Sequence, residues 1–117
     1  MKEIIEQTRV LTDACFKVAK ILKPQDEFAG HCKAELVKHG SNLSIYSRGL
    51  VFGQSGDLLS KRLFEVANAA SGIAYWMQYI VDQKLMDSTI ISPLIQEADR
   101  LLNVFMQAGK NLQNKME

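Results

Sequence analysis

The sequence is poor in everything that would suggest a secreted, membrane-bound or extended protein. It has two cysteines, Cys15 and Cys32, in 117 residues. That gives no disulfide framework, and the expected setting is the cytoplasm with both thiols reduced. Both cysteines fall within apolar patterns and read as small core residues. No apolar run approaches the roughly 18–20 residues needed to cross a bilayer, so no membrane partner is expected. The start, Met1-Lys2-Glu3-Ile4-Ile5-Glu6, lacks the apolar core and small-residue cleavage site of a signal peptide. Charge is scarce in one sense only. With 14 Lys+Arg against 13 Asp+Glu the net charge is +1, which excludes a strongly basic or acidic protein. Catalytic signatures are missing too. There is no Gly-x-Ser-x-Gly elbow, no Gly-x-Gly-x-x-Gly and no Gly-x-x-x-x-Gly-Lys. An enzyme is therefore not expected, and neither is a cofactor.

What is present is apolar periodicity. Forty-seven per cent of the residues are hydrophobic, and the length suits one domain with its own core. Two prolines and seven glycines punctuate the chain sparingly. Pro24 follows the first long segment, and Gly53-Gln54-Ser55-Gly56-Asp57 is the strongest loop signal. Asp87-Ser88 offers helix N-caps, and Ser92-Pro93 a second start. These marks predict helices over about 3–22, 27–52, 57–83 and 88–113.

The third segment is the clearest. Leu59, Leu63, Val66, Ala70, Ile73, Met77 and Ile80 follow a heptad spacing that buries one narrow face. The fourth repeats it with Ile91, Leu94, Ala98, Leu101, Phe105, Ala108 and Leu112. The first gives Ile4, Thr8, Leu11, Cys15, Val18 and Leu22. The second is weaker, with Cys32, Leu36, His39, Leu43, Tyr46 and Leu50. Gly40 and Gly49 interrupt it and imply a close helix contact or a break. Short connections make neighbouring helices antiparallel. The expected fold is all-α, an up-down-up-down antiparallel four-helix bundle formed by residues 1–117 as one domain.

Candidate sites lie on the surface of such a bundle. Tyr75, Trp76 and Tyr79 flank the third seam, and aromatic rings with polar tips there suit an inter-subunit contact. Val51, Phe52 and Leu58 around the loop are more apolar than a lone bundle end requires, and join the expected oligomer interface. Cations outnumber anions eight to four between residues 14 and 62. Lys17, Lys20, Lys23, Lys33, Lys38, Arg48, Lys61 and Arg62 are the candidate nucleic-acid contacts, against a plain solvated face. His31, Glu35 and His39 recur every four residues and could share one helix face as metal ligands. The alternative is a solvated face with His39 in a partly buried hydrogen bond, and no metal is expected.

From His39 to Asp87 the sequence resembles the four-helix-bundle proteins encoded within intervening sequences of bacterial 23S rRNA genes. The corresponding stretches are Gly40-Ser41-Asn42-Leu43-Ser44-Ile45, Gln54-Ser55-Gly56-Asp57, Leu63-Phe64-Glu65-Val66-Ala67-Asn68-Ala69, Tyr75-Trp76-Met77 and Lys84-Leu85-Met86-Asp87. Tyr46, Gly49 and Ala74 depart from polar positions of that pattern. A related bundle is the accessory variability determinant of diversity-generating retroelements, which forms a five-membered ring and partners a reverse transcriptase. The resemblance implies a self-associating scaffold or accessory module, with a homopentamer as the first assembly to test. It also implies an alternative, binding to a reverse transcriptase and its template RNA.

Overall fold

The computed structural model describes residues 2–23, 27–50 and 56–116. It holds four helices: α1 (Lys2–Ile21), α2 (Glu27–Gly49), α3 (Gly56–Asp82) and α4 (Ser88–Met116). They pack as an all-α four-helix bundle. Each helix lies against the next in the chain, α3 and α4 most extensively. α1 meets α4 more sparsely, at contacts that include a hydrogen bond from Arg100 Nη2 to Gln7 Oε1.

The heptad seams of α1, α3 and α4 form the core. Leu11, Cys15, Val66, Ile73, Met77, Ile80, Ile91, Leu101 and Phe105 are fully buried. Burying one such Leu, Ile or Phe side chain contributes about 1.5–3 kcal/mol. Leu59, Leu94, Ala108 and Leu112 are only half-buried.

α2 buries Cys32, Leu36 and Leu43 of its expected seam and departs from it at His39 and Tyr46. Its buried row is Leu36, Gly40, Leu43 and Ser47, so His39 and Tyr46 move to the flank of the helix that meets α3. The reason is the fit to α1. A Cβ at Gly40 would stand 3.1 Å from Cys15 Cβ, and Thr12 Oγ1 donates to the Gly40 carbonyl at 3.3 Å. The small residue allows the close contact, and α2 runs through it without a break. Ser47 occupies the core without an orphaned hydroxyl, because Oγ donates to the Leu43 carbonyl at 2.5 Å.

The helix ends also differ from expectation. α2 ends at Gly49 rather than near residue 52, and α4 continues to Met116 rather than 113. Asp87 is the cap of α4. Its Oδ1 accepts from the backbone N–H of Thr89 at 2.9 Å and from Thr89 Oγ1 at 3.0 Å. The second start at Ser92-Pro93 is not used, and Pro93 lies inside α4. The turn between α3 and α4 closes with paired backbone bonds, Leu85 N–H to the Ile80 carbonyl and Lys84 N–H to the Val81 carbonyl. That is a Schellman cap with Lys84, at φ 56°, where glycine usually stands.

Candidate functional site

The three aromatic residues of α3 form one connected group. Trp76 is central. Its ring centroid is 5.1 Å from that of Tyr75 and 5.4 Å from that of Tyr79, with interplanar angles of 87° and 63°. Helical spacing contributes, since Tyr79 follows Trp76 by three residues and Tyr75 by four and so shares a flank of α3 with both. A fourth ring comes from α2. His31 meets Trp76 edge to face at 5.2 Å and 79°. Beneath them, Cys32 Sγ points to the Trp76 carbonyl at 3.7 Å. Tyr75 is 64% exposed although it carries a large apolar ring.

The group continues towards one end of the bundle. Tyr79 lines a recess of about 410 Å³ together with Ile21, Leu22, Lys23, Phe28, Leu85 and Met86. Phe28 and Ile21 are 68% and 63% exposed, so with Tyr75 they are the three most exposed large apolar side chains among the described residues. Tyr75, Trp76, Tyr79, Phe28 and Ile21 thus form an apolar surface spread over α1, α2 and α3. Sequence patterning missed Phe28 and Ile21, because both sit outside the heptad seams at helix ends. Only their exposure beside Tyr79 brings them into the site.

Leu58, also expected at the interface, lies elsewhere. Leu58 is exposed, but it stands seventeen residues before Tyr75 on α3. At 1.5 Å per residue that is about 26 Å along the helix. Val51 and Phe52 lie outside the described residues.

His31, Glu35 and His39 do share one flank of α2. His39 Nε2 is 3.1 Å from Glu35 Oε2, and His31 Nε2 is 3.9 Å from Glu35 Oε1. The His39 side chain is 21% exposed and that of His31 is 61% exposed. His39 also borders a shallow cleft of about 210 Å³ with Asn42, Tyr46, Glu65, Asn68 and Ala69. Among the described residues, no group of three or more His, Cys, Asp or Glu is placed to hold a metal ion. Neither thiol is suited to nucleophilic work. Burial pushes Cys15 up to about 12 and Cys32 up to about 11, and both are fully buried.

Seven of the eight candidate cations are divided among three helices. Lys17 and Lys20 are exposed on α1 and Lys23 just beyond its end, Lys38 and Arg48 are exposed on α2 and Lys61 on α3, while Lys33 and Arg62 are half-buried. The antiparallel register that sets Thr12 against Gly40 puts Lys20 level with Lys33, so four of them gather near one end of α1 and α2. Lys61 and Arg62 stand on α3, and Arg62 Nη1 is paired with Glu65 Oε2 at 3.0 Å. No helix is long and apolar enough to cross a membrane among the described residues.

In comparisons with known proteins, no family model, curated protein or solved structure matches the chain.

Proposed function

We propose that this chain is a non-enzymatic, self-associating four-helix bundle that works as a cytoplasmic scaffold or accessory module. The proposal includes its kinship with the 23S rRNA intervening-sequence proteins, and a pentamer as the preferred assembly. The single observation that carries it is the apolar surface formed by the exposed Tyr75, Phe28 and Ile21 with the half-buried Trp76 and Tyr79. Rings of this kind carry much of the energy of an interface because they offer large area at small entropic cost. The test is light scattering on the purified chain at micromolar concentration. The expected mass is a multiple of 13.2 kDa, five being preferred. A strict monomer overturns the proposal. Tyr75→Ala should weaken assembly and shift folding stability by no more than about 0.5 kcal/mol, as for other exposed sites.

A second reading is a retroelement accessory protein that binds a reverse transcriptase and its template RNA. It is favoured by Lys17 and Lys20 on α1 and Lys23 just beyond it, all exposed, with Lys33 level with them on α2. RNA binding that weakens steeply with added salt supports it, and no binding at about 50 mM salt removes direct RNA contact.

A further inference from the structure

We propose that the aromatic surface is gated by pH through His31 and His39, so that acid opens the assembly. This rests on the self-association reading and adds a control to the same face. Glu35 lies between the two imidazoles, 3.1 Å from His39 Nε2 and 3.9 Å from His31 Nε2. One carboxylate can balance one imidazolium. A first proton on the pair makes the trio neutral. A second leaves one positive charge unmatched, and His31 holds it beside Trp76, with ring centroids 5.2 Å apart.

Among the described residues, no other group on the neighbouring helices supplies the missing balance. Glu65 of α3 borders the cleft beside His39, but it is held by Arg62 at 3.0 Å. Tyr46 and Asn68 share that cleft, and Tyr75 and Tyr79 meet Trp76. These offer hydroxyls and amides, not carboxylates. Glu27, one turn before His31 on α2, is exposed and makes no ion pair with it among the described residues. An assembled face excludes water from Trp76. An unmatched charge there loses its hydration and gains no opposite charge in return, and the contact of one ring offsets less than that loss, which opposes association.

The experiment measures the dissociation constant of the assembly by light scattering or sedimentation between about pH 8 and about pH 5.5, the range over which histidine changes charge. For the natural chain it should rise at least about tenfold, a change of 1.4 kcal/mol in association. In His31→Gln that rise should vanish, whatever the variant's own affinity at the higher pH. In His31→Lys the weak, acid-like affinity should be present throughout. Trp76 is the sole tryptophan, so its emission reports the ring beside it. Acid should quench it in the natural chain and not in His31→Gln. An assembly that holds unchanged at about pH 5.5 overturns the gate and leaves the self-association reading standing. Equal dissociation of the natural chain and His31→Gln also overturns the gate. A monomer at every pH overturns both.

Discussion

The His39 imidazole rests directly on the backbone of Gly72. A Cβ built at Gly72 would stand 2.5 Å from His39 Nδ1 and 2.7 Å from Cγ. The glycine is what allows α2 to bring that ring onto α3, because the near atoms include the base of the ring and not just a flexible tip. Gly40 does the same between α1 and α2. Gly109 does it between α3 and α4, where a Cβ would meet Phe64 at 2.8 Å. Each sequential helix pair therefore has one glycine at a close approach.

Gly72→Ala tests this contact. Alanine favours a helix by about 1 kcal/mol over glycine. The overlap with His39 should outweigh that gain and leave a net loss of about 1–2 kcal/mol. In a His39→Ala background the same change should become stabilising, by about 0.5–1 kcal/mol. Urea midpoints of the four chains make the comparison. A loss that persists without His39 would mean that the ring is not the obstacle.

Asp87 gives a prediction with a sign in pH. Its bonds from the Thr89 backbone N–H and hydroxyl hold the carboxyl below its ordinary range. A group lowered on folding stabilises the native state above its unfolded value, and that contribution is lost as pH falls through the native one. Asp87→Ala should therefore be less stable than the natural chain at neutral pH. The gap should narrow in acid, once the native carboxylate is protonated. Thermal melts across the acid range would show this, and a gap independent of pH would contradict it.

Lys84 occupies a left-handed position that glycine adopts at no steric cost. A non-glycine residue there costs about 1–3 kcal/mol. Part of the gain from glycine is lost to its greater freedom in the unfolded chain, about 0.5–1 kcal/mol. Lys84→Gly should then raise stability by about 0.5–1 kcal/mol. Chemical denaturation measures it, and a Lys84→Val chain should move the other way.

The legible and illegible parts of this fold differ by kind of residue. The seams of α1, α3 and α4 could be read directly, because Leu, Ile, Val and Phe mark buried positions by hydropathy. On α2 the buried row includes Gly40 and Ser47, which hydropathy does not mark, so apolar spacing alone puts His39 and Tyr46 on the core side instead. The cap at Asp87 was legible in its side chain, whereas the Schellman turn was hidden because Lys84 replaces the expected glycine. The aromatic group was visible as three neighbours in the sequence, but its extension was not.

By itself the sequence determined four helices and the buried stripe of three of them. Both follow from local spacing, where residues three and four apart share a face whatever lies opposite. The tertiary structure alone decided which stripes meet and at what level. It set His31 against Trp76, put Phe28 and Ile21 beside Tyr79, and left Leu58 about 26 Å away along α3. Those relations depend on how closely two backbones approach, and here Gly40, Gly72 and Gly109 set that approach. A glycine has no side chain to announce its neighbour, so its partner becomes known only when the helices are packed.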